Sequence, residues 1–200
     1  AFIAMDYVEG KSLDRCVSET ALLPIQEVYE IIIAVADALA YAHQQNIVHR
    51  DIKPGNIMYD QNSGQVKVAD FGIARIVDDS KTKTGDMLGS PVYMSPEQLK
   101  GTRVSGASDI YSLGVTFYQL LTGVLPFSGD SIANLAYQIL NKKYVSVREL
   151  RPELSAGVVR VVNKALQKEP SKRYHSAVEM ADAVRSLLNR ECRRDNRKAS

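Results

Sequence analysis

The sequence has 200 residues, 45% of them hydrophobic and 24% charged, which is within the range of one globular domain. Its formal net charge is +2, but residues 189–200 contain five basic and two acidic side chains, so residues 1–188 sum to about −1. The body of the protein is therefore near neutral. A single short basic run without aromatic residues argues against nucleic-acid binding.

The cysteines and the apolar stretches indicate the cellular compartment in which the protein is expected to fold. Cys16 and Cys192 lack both the spacing of a metal site and the density of a disulfide scaffold, which favours a reducing environment. The most apolar stretches, residues 31–42 and 110–121, are interrupted by polar residues and are too short to span a membrane. Residues 1–5 lack the basic leader of a signal peptide. We expect a cytoplasmic segment whose parent protein can be anchored to a membrane elsewhere.

The first half of the chain predicts a strand, a helix and a hairpin. Residues 1–5 form a short apolar run typical of a strand. Apolar residues then recur at helical spacing over 24–45, with Pro24 suited to the first turn, and the apolar stripe is wide enough to require burial. Between residues 57 and 68, two β-like runs flank a cluster of turn residues at 60–64, which predicts a β-hairpin.

The second half predicts a long loop and several helices. Residues 74–100 are rich in Asp, Ser, Thr, Gly and Pro without periodicity, as in a functional loop. A core helix is predicted over 108–122, ending near Gly123. Further helical patterns occupy residues 131–141, 155–167 and 176–189. The prediction is an α+β fold, mainly α, with one domain over 1–188 and a basic tail or linker over 189–200.

The strongest functional signal is a series of motifs in a fixed order. They are HRDIKPGN at residues 49–56, DFG at 70–72, GSPVYMSPE at 89–97 and DIYSLG at 109–114. Each is weak alone, but their order and spacing resemble the catalytic loop, metal-binding loop, activation-segment end and following helix of protein kinases. The sequence segments GIAR at 72–75 and YMSPEQ at 93–98 are similar to those of bacterial members of the eukaryotic-like (Hanks-type) serine/threonine kinases.

This resemblance implies a fold and a reaction. The chain is expected to be the large helical C-lobe of a protein kinase with its small β-hairpin, beginning at the last N-lobe strand and the hinge. The implied reaction is transfer of the ATP γ-phosphate to Ser or Thr hydroxyls of protein substrates. Phosphoryl transfer proceeds through a loose transition state, so the protein mainly positions groups and supplies positive charge.

Four residues are implied to perform the catalysis. By resemblance, Asp51 accepts the proton of the substrate hydroxyl and Lys53, which favours serine/threonine specificity, contacts the transferring phosphate. Asn56 and Asp70 offer the oxygen ligands that Mg²⁺ prefers. No functional role is predicted for His43.

The resemblance also implies where the nucleotide binds. Met5, Asp6 and Val8 correspond to the hinge, where backbone groups bond to adenine. Met58 corresponds to the apolar floor of the adenine pocket, although a lone methionine more often fills a core. Lys53, Asn56 and Asp70 complete the ATP-binding set by contacting the phosphates or their metal.

Two supporting contacts are implied inside the helical lobe. Asp109 lies in an otherwise apolar helix and would be costly unless paired. By resemblance it anchors the backbone around His49 and Arg50, with His49 itself structural. Glu97 and Arg173 are implied to form a buried ion pair, for which the planar arginine fork is suited.

The activation loop suggests regulation. In kinases with an arginine at the position of Arg50, a loop phosphate pairs with that side chain and orders the segment. We therefore predict autophosphorylation at Thr82 or Thr84, with self-association of two copies as its route. The alternative is that both are ordinary hydroxyls in a solvated loop.

The 200 residues contain no Gly-x-Gly-x-x-Gly motif and no lysine ahead of the hinge. We therefore expect this segment alone to have little or no activity, whereas its parent would be a working kinase. The alternative from another class is a pseudokinase or a kinase-derived scaffold that binds partner proteins. The intact Asp51 and Asp70 argue against that alternative.

Overall fold

The computed structural model describes residues 10–18, 20–70 and 91–198. Some sequence predictions fall on other residues: the strand at 1–5, the hinge contacts of Met5, Asp6 and Val8, and the phosphorylation sites Thr82 and Thr84. These stay predictions.

Helices dominate the described part of the chain. They are α1 (Ile25–Gln44), α2 (Pro96–Leu99), α3 (Gly106–Thr122), α4 (Ile132–Asn141), α5 (Val147–Leu150), α6 (Ala156–Ala165) and α7 (Ala177–Lys198). The strands are β1 (Lys11–Ser12), β2 (Ile57–Asp60) and β3 (Gln65–Val68). Short 3₁₀ turns cover Leu13–Cys16, Pro54–Asn56, Pro91–Tyr93 and Pro170–Lys172. The predicted α+β class with mainly helical content is confirmed. Among the described residues, no helix is long and apolar enough to cross a bilayer.

Helix α3 forms the centre of the core. Every residue from Ser108 to Thr122 is buried, as predicted for this helix. It begins two residues earlier than predicted because Ser105 caps it, accepting a hydrogen bond from the Ala107 N–H. It ends at Gly123, whose φ of 77° is the left-handed conformation that glycine adopts most easily.

Helix α1 packs against α3 and α7 along its apolar stripe. The stripe consists of Val28, Ile31, Ile32, Val35 and Leu39, each 1% exposed or less. Pro24 precedes the helix instead of occupying its first turn, because its ψ of 139° is extended. The helix otherwise matches the predicted 24–45 within one residue at each end.

The small sheet contains one strand more than predicted. Strands β2 and β3 form the expected antiparallel hairpin. Strand β1 pairs with β2 on the other side, with Lys11 opposite Tyr59 and Ser12 opposite Met58. Two residues are too few to show a strand period in a sequence. The pairing brings Ser12 Oγ to 3.3 Å from the Pro54 carbonyl, beside the loop at residues 49–56.

The prediction of a loop over residues 74–100 is wrong for seven of its last ten residues. A 3₁₀ turn occupies Pro91–Tyr93 and α2 occupies Pro96–Leu99. Ser95 caps α2 by accepting the Gln98 N–H, while the Gln98 side chain accepts the Ser95 N–H, and Pro96 occupies the first turn. This capping box is a local sequence signal for a helix, but the surrounding region lacks helical periodicity and is therefore predicted as a loop.

Helix α7 is longer than predicted. It continues to Lys198, nine residues beyond the predicted end, because the added residues include no glycine or proline. The Tyr29 hydroxyl on α1 donates to Glu191 Oε2 at 3.0 Å, so the extension contacts the folded body. Residues 189–198 are therefore helical, whereas the basic tail or linker over 189–200 and the domain boundary at 188 stay predictions.

The predicted pair of Glu97 and Arg173 is confirmed as a buried, bidentate ion pair. Arg173 is 1% exposed and Glu97 6%. The Nη1–Oε1 and Nη2–Oε2 distances are 2.7 and 2.8 Å. The remaining N–H groups of Arg173 donate to the carbonyls of Ala107, Gln167 and Lys168. All five donors of the guanidinium are thus satisfied, as a buried arginine requires.

Replacing Arg173 with methionine is expected to lower the free energy of unfolding by about 3–5 kcal/mol, because Glu97 would remain buried without its partner. Urea denaturation measures the change. Arg185 is the matched control, since its ion pairs with Asp37 and Asp182 are partly solvent-exposed. Arg185→Met should cost less than about 1 kcal/mol. Equal effects of the two variants would contradict a special role for the buried pair.

The same pair predicts a pH dependence of stability. Burial acts to raise the pKa of Glu97, but its hydrogen bonds from Arg173 and Ser108 outweigh burial and lower the pKa below its ordinary 4.5. The pair therefore contributes its full stability above that ordinary value and loses it as the pH falls through the lowered pKa. Urea midpoints measured against pH should fall less steeply in Glu97→Gln than in the wild type over this acidic range. An identical slope would contradict the assignment.

Candidate active site

The loop at residues 49–56 joins α1 to β2 and is anchored by one buried carboxylate. Asp109 on α3 is fully buried. Its Oδ2 accepts the His49 N–H at 2.9 Å and its Oδ1 accepts the Arg50 N–H at 2.7 Å. The predicted anchoring of this backbone is confirmed, and it satisfies a carboxylate that would otherwise be costly to bury.

His43 takes part in this anchor, which the sequence analysis missed. Its Nε2 lies 2.8 Å from Asp109 Oδ2, at the last turn of α1. Gly106 packs against the imidazole so closely that a Cβ there would lie 2.7 Å from Nδ1. The two partners are 66 residues apart, and no local pattern links them.

The backbone at Arg50 is unusual. Its φ is 70°, a left-handed conformation that is uncommon outside glycine, asparagine and aspartate. Its N–H is bonded to Asp109, and its carbonyl accepts the Gln98 side-chain N–H at 2.9 Å. Contacts from two helices therefore stabilise a conformation that costs about 1–3 kcal/mol when it lacks support.

The structure brings three of the predicted catalytic residues together. Lys53 Nζ lies 2.8 Å from Asp51 Oδ2. Asn56 Nδ2 donates to Asp51 Oδ2 at 3.0 Å and to the Asp51 carbonyl at 2.8 Å. The side chains of Asp51 and Lys53 are 37% and 25% exposed, so the cluster is open to a substrate.

Asp70 directly follows Ala69, whose backbone bonds to both ends of the loop at residues 49–56. The Ala69 N–H donates to the Asn56 carbonyl at 2.8 Å, and the Ala69 carbonyl lies 2.9 Å from His49 Nε2. His49 is fully buried, which agrees with the structural role predicted for it. Asp70 is exposed and has a φ of 54°. The backbone immediately before Asp70 is therefore held beside Asn56 by a hydrogen bond.

The donor set near Asn56 and Asp70 fits a hard divalent cation. Both Asn56 Nδ2 contacts are to Asp51, which fixes the amide orientation, and no described residue donates to Asn56 Oδ1. One amide oxygen and one carboxylate are typical protein ligands for Mg²⁺, which retains several waters. Within residues 10–18, 20–70 and 91–198, no group of three or more His, Cys, Asp or Glu side chains could hold a metal.

Among the predicted adenine contacts, Met58 lies within the described residues, whereas the hinge residues do not. Met58 lies in β2, half-buried, opposite Ser12 and Lys67. The hinge contacts of Met5, Asp6 and Val8 lie outside the described residues. A role of Met58 in binding adenine therefore stays a prediction.

Comparison with known proteins adds independent information. The protein kinase domain family matches residues 1–185. The chain is 42% identical over 187 residues to serine/threonine-protein kinase PknB of Mycobacterium leprae, covering 92% of this chain and 30% of that protein. It is 38% identical over 189 residues to serine/threonine-protein kinase PrkC of Bacillus subtilis, covering 94% and 29%. The chain thus spans about a third of the length of these curated relatives.

The fold is also similar to a solved kinase structure. A crystal structure of Rad53 1–466 in complex with AMP-PNP matches with a TM-score of 0.74 and 28% sequence identity. The match covers 90% of this chain and 45% of that one. With the loop geometry above, these similarities show that the chain belongs to the protein kinase family, as a bacterial Hanks-type serine/threonine kinase.

Proposed function

We propose that the full-length protein transfers the γ-phosphate of ATP to Ser and Thr hydroxyls of protein substrates. This chain would supply the catalytic loop, the metal-binding loop and the activation segment. The observation that carries the proposal is the hydrogen-bonded cluster of Asp51, Lys53 and Asn56, in which the side chains of Asp51 and Lys53 are partly exposed. The names of the relatives in Mycobacterium leprae and Bacillus subtilis support the same activity.

Asp51 is suited to orient and deprotonate the substrate hydroxyl. Its Oδ2 accepts hydrogen bonds from Lys53 and Asn56. No described residue donates to its Oδ1, so that oxygen is available to a hydroxyl. The two bonds to Oδ2 restrict rotation of the carboxylate, and this restriction favours proton transfer by keeping the base oriented.

Lys53 supplies the positive charge of the cluster. Its ammonium lies 2.8 Å from the base, within reach of an oxygen on the phosphate that approaches the same hydroxyl. Charge on phosphate oxygens in the transition state would be stabilised by this cation. The lysine two residues after the base also supports specificity for Ser and Thr.

Asn56 and Asp70 are the residues that would hold Mg²⁺, through the amide Oδ1 and the carboxylate. The ion would neutralise the charge of the ATP phosphates when bound. The contribution of the chain is to fix Asn56 through its bonds to Asp51 and to keep the backbone before Asp70 beside it.

Regulation by phosphorylation is part of this proposal. The Arg50 side chain is exposed, and within the described residues it makes no ion pair, so it is available to a phosphate on Thr82 or Thr84. Transfer between two copies of the protein would be the route of autophosphorylation. We also propose a cytoplasmic location for this segment, where ATP and Mg²⁺ are available.

Replacing Asp51 with asparagine is expected to lower kcat for phosphate transfer by at least about 10²-fold, because the general base is lost. The rate is measured with radiolabelled ATP and a Ser/Thr peptide, using the full-length protein. Asp182→Asn on the exposed surface of α7 is the control and should retain the wild-type rate. Undiminished transfer by Asp51→Asn would remove Asp51 as the base, and a wild-type protein without transfer would favour the scaffold alternative.

Replacing Asp70 with asparagine is expected to raise the Mg²⁺ concentration needed for half-maximal rate by about tenfold or more, since an anionic ligand becomes neutral. Calorimetric titration of ATP with and without Mg²⁺ provides a second measurement. The wild type should bind ATP more tightly with Mg²⁺, and the variant should lose most of that difference. An unchanged Mg²⁺ requirement would show that Asp70 is not a metal ligand.

A further inference from the structure

The Gln98 side chain bridges α2 and the catalytic loop. Its Nε2 donates to the Arg50 carbonyl at 2.9 Å. Its Oε1 accepts the Ser95 N–H at 3.0 Å and lies 3.1 Å from Ser95 Oγ. Both ends of one amide are therefore used, one inside α2 and one on a loop 48 residues away in the chain.

The orientation of this amide is determined by its partners. The Arg50 carbonyl can only accept a hydrogen bond, and the Ser95 N–H can only donate one. A flipped amide would place oxygen against oxygen and N–H against N–H. A glutamate could replace glutamine toward Ser95, but it would place a carboxylate oxygen against the Arg50 carbonyl.

The contacted carbonyl belongs to the peptide bond that leads directly into the base. At one end of that peptide, the Arg50 carbonyl accepts from Gln98. At the other end, the Asp51 N–H donates to His49 Nδ1 at 3.3 Å. The φ of Arg50, 70°, is the strained element in this segment. Gln98 thus contacts the backbone where a rotation would displace the Asp51 carboxylate.

We infer that Gln98 is a positioning residue for phosphoryl transfer, an inference that rests on the function proposed above. It sets the direction of the Asp51 carboxylate by bonding to the peptide before it. Because Gln98 lies on α2, immediately after the activation segment, its hydrogen bond to the Arg50 carbonyl links the position of α2 to the base. A displacement of α2 away from the loop would remove this donor from the Arg50 carbonyl.

The main alternative is that Gln98 serves only to cap α2. Its side chain is the third-position partner of the Ser95 capping box. Glutamate is equally suitable at that position and is favoured near a helix N-terminus. Gln98→Glu therefore preserves the cap and replaces the donor to Arg50 with a carboxylate oxygen, whereas Gln98→Ala removes both the cap partner and the donor.

The test compares these variants in the full-length protein, with kcat, KM for ATP and peptide, and the Tm as readouts. Gln98→Glu is expected to lower kcat about tenfold, with KM values within about twofold and a smaller loss of Tm than in Gln98→Ala, since the cap remains. Gln98→Ala should lower both kcat and Tm. Lys100→Gln, at the exposed end of α2, is the control because it changes the net charge by the same amount and should retain wild-type kcat.

A wild-type kcat in Gln98→Glu would overturn the inference while leaving the proposed function intact. An equal loss of kcat in Lys100→Gln would also overturn it, since the effect would then come from charge. If Gln98→Glu did not fold, a folded Gln98→Ala variant with full kcat would still refute the positioning role. A wild-type protein that transfers no phosphate would instead refute the proposed function, and this inference with it.

Discussion

The structure depends on the buried carboxylate of Asp109. A charged group inside an apolar helix is tolerated only when its lone pairs are used, and here they accept two backbone N–H groups and a His43 ring nitrogen. Because those N–H groups belong to His49 and Arg50, the same bonds that satisfy Asp109 fix the start of the catalytic loop. The bond from the Arg50 N–H to Asp109 also helps to stabilise the left-handed backbone of Arg50.

A second buried ionic group positions the neighbouring segment against the same helix. Glu97 precedes Gln98 in α2, and its partner Arg173 donates to the carbonyl of Ala107, two residues before Asp109. Ser108, between them, donates to Glu97 Oε1 at 2.7 Å. The first turn of α3 therefore organises both the catalytic loop and the segment that bonds to it through Gln98.

The proposed base and its neighbouring lysine are more exposed than three of the residues that support them. Asp109, His49 and Arg173 are at most 1% exposed, whereas the Asp51 and Lys53 side chains are 37% and 25% exposed. This arrangement suits phosphoryl transfer, in which the protein positions groups and supplies charge. A rigid interior limits movement of the loop, and the open edge leaves room for a substrate hydroxyl and a nucleotide phosphate.

The sequence by itself determined the family, the core helix and the hairpin, because these depend on local patterns and on motifs in a fixed order. Through the resemblance to kinases it also predicted the contacts of Asp109 and the Glu97–Arg173 pair, whereas the catalytic set stays a prediction. Only the tertiary structure decided the contacts of His43 with Asp109 and of Gln98 with Arg50, which join residues 66 and 48 positions apart. It also decided the two-residue strand β1 and the contact of Tyr29 on α1 with Glu191 on α7. Such features arise from chain segments meeting in space, so neither periodicity nor composition encodes them.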